Sequence, residues 1–297
     1  MGLCDDVRAA CAATSASAVH VRIDTDRLGV YDPGAAATPP AEPAELDAER
    51  HYLEGSPADV AAYLLALDTI NFGSGWFPLL RKRPSCSGYY TVAWALADHV
   101  RANGPPTTAQ LRAMRTDSVA AILGQDPALE LMSLYAQALR ELGRFLGDGS
   151  AIDLVADAGR SAERFATRLA AGMTLFADRG FYKRAQIAAN DLAMAGIAEF
   201  DDLDRLTIFA DNLVPHVLRC EGVLVYDDAL AAHIDGGRPL PMDARAREIR
   251  AGAVHACELL AARLEVTPRA LDTWLWNRGQ DQAYKRRRRH RTLTVYY

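Results

Sequence analysis

No apolar run in the chain reaches the roughly 18 residues that a membrane span needs, so a spanning helix and a membrane partner are not expected. Cysteine is sparse. The five, Cys4, Cys11, Cys86, Cys220 and Cys257, are odd in number and form no CxxC pair. That pattern fits reduced, structural thiols better than a disulfide framework or a zinc site. The seven histidines never fall at HxxxH or HExxH spacing, so no metal ligand set is expected. There is no GxGxxG following a strand, no P-loop and no GxSxG elbow, which removes the signatures of three common enzyme classes. An excess of basic residues is missing too. Lys and Arg total 33 against 38 Asp and Glu, a formal net charge of −5, so the chain as a whole is not a polyanion binder. The opening stretch MGLCDDVRAACAATSASAV carries acids early and lacks a basic-then-apolar leader. Asp6 stands where the myristoylation pattern needs Ser or Thr. A cytoplasmic location is expected.

What remains is an ordinary globular composition, 50% hydrophobic and 24% charged. A chain of 297 residues can bury a large core. Residues 29–50 are rich in Pro, Ala and Gly and read as a loop ahead of a helical body. Residues 56–72 open on Ser-Pro, and Pro is favoured at the first helical position. Amphipathic spacing places further helices over 107–123, 128–147, 151–177, 184–198, 212–221, 243–264 and 268–277. Strand-like pieces are few: 18–24, 222–226 and 292–297, with the first and last expected to pair and tie the termini together. The fold class is mainly α, one compact domain over 1–297 with two lobes and a few short strands near the termini.

Three stretches put polar groups where core is expected. In LDTINFGSGWF (67–77), Asp68 lies four residues after Leu64, and Asn71 four after Leu67, so both border the buried stripe. Gly73-Ser74-Gly75 follows, with backbone free to approach a ligand closely, and Phe72 and Trp76 offer flat surfaces beside it. A plain helix C-cap explains the same residues. In GFYKRAQIAANDLAMA (180–195), Asp191 falls on the apolar line of Ile187 and Met194. Lys183 sits at the helix start, where the dipole disfavours a cation; it is either a solvated surface lysine or a residue with a task. In LTIFADNLVPHVL (206–218), Asp211 interrupts an apolar run just before Pro215. It can simply cap the helix that follows, yet a cap flanked by Ile208, Phe209, Leu213 and Val214 is also a desolvated, poised carboxylate.

These stretches are accompanied by others in a fixed order: Asp68-Thr-Ile-Asn-Phe72, Ser87-Gly-Tyr89, Phe181-Tyr-Lys-Arg-Ala-Gln-Ile187, Thr207-Ile-Phe-Ala-Asp211, Glu248-Ile-Arg250, Trp274-Leu-Trp276, and His290-Arg291 running to Tyr297. Taken together, from about residue 18 to the end, they resemble the queuosine salvage protein family, the queuosine 5′-phosphate N-glycosylase/hydrolases. The resemblance implies hydrolysis of the N-glycosidic bond of queuosine 5′-phosphate, releasing queuine for reuse in tRNA modification. It implies a largely helical fold similar to that of helix-hairpin-helix DNA glycosylases, with 199–218 as a divergent form of that element. It implies no cofactor and no metal. The family's catalytic acid and lysine carry over onto Asp211 and Lys183, and its base-contacting histidine onto His51. Asp68 is among the retained motif positions. Phe72 and Trp76 are then candidates to stack on the base, with Asn71 or Asp281 reading its edges. For the 5′-phosphate, Ser74, the Gly73–Gly75 backbone and the Arg/Lys supply stand unranked. The chain departs from the family at Asn212-Leu213, at Gly73-Ser-Gly75 and at Asn277, where an acid is lost.

The chemistry fits those residue types. Glycosidic cleavage builds positive charge on the ribose, and a carboxylate held near the anomeric carbon stabilises it or attacks it. An ammonium beside that carboxylate supports its charge in a water-poor pocket. A monomeric enzyme acting on a small molecule, with no stable nucleic-acid partner, is the first reading. The second comes from YKRRRRHR (284–291), whose four consecutive arginines belong either to a helical nucleic-acid-binding protein or polymer glycosylase, or to a solvated basic turn.

Overall fold

The computed structural model describes residues 2–31, 39–40 and 43–297. Residues 32–38 and 41–42 of the predicted loop over 29–50 therefore lie outside the described residues. The helices run α1 (Leu3–Ala16), α2 (Pro57–Thr69), α3 (Gly88–Asn103), α4 (Thr108–Arg112), α5 (Thr116–Leu123), α6 (Glu130–Leu146), α7 (Ala151–Asp157), α8 (Ala162–Gly172), α9 (Lys183–Met194), α10 (Val214–Cys220), α11 (Asp228–Asp235), α12 (Ala244–Leu264), α13 (Pro268–Arg278) and the single turn α14 (Gln282–Lys285). The chain is mainly helical. Two three-residue strands, β1 (Val21–Ile23) and β2 (Leu224–Tyr226), pair antiparallel with Val21 opposite Tyr226. Among the described residues no helix is long and apolar enough to cross a membrane.

Helix α2 starts as its sequence dictates. Ser56 Oγ accepts from the Asp59 amide at 3.2 Å, and Pro57 fills the first position. From Val60 to Thr69 only Ala62 escapes full burial, and a helix apolar nearly all round belongs in a core. Helices α3, α6, α7 and α9 pack on it. A second body of packing joins α1 to α12, through Leu3, Cys4, Val7 and Cys11 on one α1 face.

Several boundaries differ from the spacing-based expectation, each for a local reason. The span 107–123 is two helices, with Thr107 in a capping box at the head of the first. The span 151–177 breaks at Gly159 and Arg160, whose φ values of 53° and 61° no helix can contain. Helix α3 was hidden by the β-favouring run Tyr89-Tyr-Thr-Val92, although Ser87 caps it at the Tyr90 amide, 3.2 Å away. The expected pairing of 18–24 with 292–297 does not occur: β1 pairs with β2 instead. Residues 292–297 form no strand. Their carbonyls are claimed by other donors, Val295 O by Arg184 Nη2 at 2.9 Å and Tyr297 O by the Gly73 amide at 3.0 Å.

Candidate active site

The extended stretch 206–211 has no ladder partner, so its main-chain groups must be satisfied by side chains. Three buried residues from three helices do this. Gln186 on α9 accepts from the Thr207 amide at 2.9 Å through Oε1. Asp272 on α13 accepts from the Phe209 amide at 2.9 Å. Arg250 on α12 donates from Nε to Ala210 O at 2.9 Å. The residue that follows is Asp211, so its position is set by α9, α12 and α13 together.

Asp211 does two things at once. Its Oδ1 accepts from the Leu213 amide at 2.7 Å and the Val214 amide at 3.1 Å, which caps α10. Among the described residues Oδ2 takes no hydrogen bond, and Asp211 is half-buried on the wall of a cleft holding about 1190 Å³ of empty space, part of it open to solvent. One oxygen of the side chain thus serves the start of α10, as the capping reading expects, while the residue also lines the cleft.

Lys183 lies on the same wall and is 6% exposed, so it is not a surface lysine. Its Nζ donates to Asn71 O at 3.1 Å and to Asn71 Oδ1 at 3.4 Å. Burial pulls its pKa down to about 8, against the opposing pull of Asp211, the largest charge acting on it. The start of α9 is anchored by Asp178, whose Oδ2 accepts from the Lys183 amide at 3.4 Å. The Asp178 carboxylate is in turn gripped by Arg250 at 2.9 and 2.6 Å. One buried guanidinium therefore holds both the residue before Asp211 and the turn that presents Lys183. It is sandwiched by the rings of Phe181 and Tyr297, 3.9 and 4.3 Å from their centroids. Arg250→Met leaves Asp178 buried without its partner and is expected to cost about 3–5 kcal/mol. Urea denaturation measures this, and a loss below about 1 kcal/mol would remove the bracket role.

Arg184 braces the opposite side, donating to Thr69 O at 2.5 Å and to Leu175 O, with Phe72 and Phe176 on its faces. Phe72 reaches the cleft and meets Tyr135 edge-on at 5.0 Å. His51 also lines it. Its Nδ1 contacts Asp47 O at 2.9 Å and its Nε2 the Tyr89 hydroxyl at 3.0 Å. Burial lowers the His51 pKa, favouring the neutral ring. Ser74 is on the wall, and among the described residues its hydroxyl has no partner.

Of the residues singled out in the sequence, Asp211, Lys183, His51, Asn71, Phe72 and Ser74 are brought together. Three are not. Asp68 is fully buried behind the wall, its pKa raised well above the carboxylate range by burial and then by Asp191. Trp76 is buried away from the cleft, its indole N–H on Glu130 at 3.2 Å. Asp281 is exposed and caps α14. The glycines of 73–75 serve the fold instead of a ligand. A Cβ at Gly75 would collide with Thr292 O, and the Gly73 and Ser74 amides are spent on Tyr297 O.

Other wall residues escaped attention. Trp276 stands edge-on to Tyr89 and Tyr90, 5.9 and 5.5 Å between centroids. Asp272 is a second acid on the wall that holds Asp211, its pKa pushed well up by burial and then by Asp211. Asp191, already marked in the sequence by its place on the apolar line of Ile187 and Met194, shares the wall too, its pKa raised to about 6 by burial. An acid beside Leu271 on an apolar helix face was the signal for Asp272, as it was for Asp191. Among the described residues no group of three or more His, Cys, Asp or Glu could hold a metal ion.

A cleft with a half-buried carboxylate open on one oxygen, a buried ammonium and several aromatic walls defines a pocket for a flat, sugar-linked molecule. Residues 51–297 match the family described as queuosine salvage protein, and the chain belongs to that family. It is similar to the queuosine 5′-phosphate N-glycosylase/hydrolase of Sphaerobacter thermophilus, 34% identical with 93% of each chain covered. The proteins of the same name from Dictyostelium discoideum (30% identical, 80% of this chain and 78% of the relative) and Mus musculus (28%, 83% and 85%) are also similar.

Proposed function

We propose that this chain hydrolyses the N-glycosidic bond of queuosine 5′-phosphate and releases queuine for salvage into tRNA modification. The observation that carries the reading is Asp211, fixed by Oδ1 and open by Oδ2 into a cleft it shares with Lys183. The names of the relatives give it its substrate.

The steps follow from the groups present. As the C1′–N bond lengthens, its electron pair leaves with the base and positive charge grows on the ribose. Asp211 Oδ2 faces that charge and stabilises it, or accepts the proton of the water that completes hydrolysis. Lys183 balances the carboxylate from within the protein. The departing ring nitrogen needs a proton, and Asp272, whose burial favours the protonated carboxyl, is the candidate acid on the same wall. Trp276, Tyr89 and Phe72 supply faces for the base, and His51 and Asn71 supply edge contacts.

We take the whole chain, 1–297, as one domain acting as a cytoplasmic monomer without a stable nucleic-acid partner. The kinship with helix-hairpin-helix DNA glycosylases belongs to the same reading. It rests on 199–218, where a 3-10 turn at Leu203–Arg205 and α10 flank an extended stretch in place of a glycine hairpin. Mass spectrometry after incubation with queuosine 5′-phosphate tests the proposal. Free queuine and ribose 5-phosphate in equal amounts are expected; intact nucleotide after many hours, with folded protein, would refute it. A polymer-directed enzyme would instead bind oligonucleotides with an affinity falling steeply with salt.

A further inference from the structure

The chain carries three lysines, Lys82, Lys183 and Lys285. Lys82 and Lys285 are exposed, whereas Lys183 is buried at the cleft wall. Among the described residues Lys183 is in no ion pair. Its two side-chain hydrogen bonds go to one residue, the carbonyl and the side-chain oxygen of Asn71, and both acceptors are neutral. The charges around it divide. Asp211 and Asp68 favour the ammonium, Arg184 and Arg250 oppose it, and burial outweighs them all. Asp191 and Asp272 are the other acids in its field. A lysine held by neutral acceptors in a water-poor wall gives up its proton more easily than one in a salt bridge, and the free amine is a nucleophile toward carbonyl carbon.

Such a carbon is made on this same wall. Hydrolysis with C1′ against Asp211 leaves a sugar whose C1, once the ring opens, is an aldehyde. We propose that Lys183 captures that aldose phosphate as a reversible imine at C1, a sugar-binding activity of the cleft that needs no base. This rests on the hydrolase reading above. The Nζ lone pair adds to C1, and the proton that nitrogen loses passes to the former carbonyl oxygen. The hydroxyl so formed takes a second proton from a wall carboxyl, Asp191 or Asp272, both of which burial favours in the protonated form, and departs as water. The nitrogen electrons close the C=N bond, and addition of water reverses every step. The protonated imine carries the same positive charge as the ammonium, so the field of Asp211 and Asp68 that favours the one favours the other. Nothing is oxidised or reduced.

Ribose 5-phosphate with sodium cyanoborohydride tests this in the unaltered protein. The hydride reduces an imine to a stable secondary amine, and peptide mapping by mass spectrometry tells which of the three lysines carries it. Lys183 is expected to be labelled about tenfold or more faster than Lys82 or Lys285, with a rate that climbs from pH 7 through about 8 as the amine loses its proton. Labelling spread evenly over the three lysines, or missing from Lys183, overturns the proposal, and wild type alone decides this whether or not a variant folds. Lys183→Arg keeps a cation without a nucleophilic amine and should retain only the slow labelling of the other two; an undiminished total yield in that variant also overturns it. Wild type that releases queuine but forms no Lys183 adduct sinks the imine and leaves the hydrolase. A Lys183 adduct in protein that releases no queuine sinks the hydrolase reading and leaves an aldose-binding lysine.

Discussion

Asp211→Asn is expected to slow queuine release by about a hundredfold to ten-thousandfold while leaving the fold and the binding of queuosine 5′-phosphate largely intact. The substitution removes the charge and little else. Asn is as good a helix cap as Asp, and its carbonyl oxygen can still accept from the Leu213 and Val214 amides. Asp211→Ala, by contrast, loses the cap as well and is expected to cost a further ~1 kcal/mol of stability. Single-turnover release, paired with a binding titration and a thermal melt, separates the two jobs of the side chain. An Asn variant with undiminished turnover would show that the open oxygen is a bystander.

Lys183→Met is expected to lower kcat/KM by about a hundredfold and to change its pH dependence. The wild-type ammonium has its pKa pulled to about 8. Activity that needs the charged form should therefore fall as pH rises through about 8, and the Met variant should lack that limb. Stability moves the other way. In the unfolded chain a lysine titrates near 10.4. Below about pH 8 both states carry the proton, and the cost of burying the ammonium is borne in full. From there to about 10.4 the folded state sheds its proton while the unfolded state keeps it, so folding becomes more favourable as pH rises. Melting curves across that window should show a gain in wild type that is missing in Lys183→Met. A wild-type rate profile that stays flat from pH 7 to 10 would contradict the assignment.

Much of the site was legible because it breaks a pattern. Asp211 and Lys183 each sit where composition disfavours them, an acid in an apolar run and a cation at a helix start, and the fold brings both to one cleft. Polar residues on apolar helix faces were less decisive. The spacing that marks Asn71 as a wall residue marks Asp68 as well, yet Asp68 lies one turn deeper and never reaches the cleft. Periodicity gives the face of a helix but not how far along it a cavity extends. Aromatic placement was the weakest inference. Trp76 looks available because it follows two glycines, whereas Gly75 admits the chain at 292, Gly73 makes room for Leu131, and the ring turns inward. Trp276 reaches the cleft from a helix distant in sequence, which local pattern cannot foresee. The same limit explains the strand pairing. Residues 292–297 do alternate, with Thr292 and Thr294 buried between exposed Leu293 and half-buried Val295. Their hydrogen-bond acceptors, however, meet a buried arginine and a loop in place of a second strand.

The fork of Arg250, clasping Asp178 on one side and Ala210 on the other, has a consequence for how the enzyme fails when heated. Many active sites soften before the body of the protein melts, because their working residues sit on independently mobile loops. Here the acid and the lysine are fastened to a single rivet inside the core, so neither can drift while that rivet holds. Catalytic inactivation and loss of the near-ultraviolet dichroism signal should consequently trace one curve, with no temperature at which a well-folded but idle population accumulates.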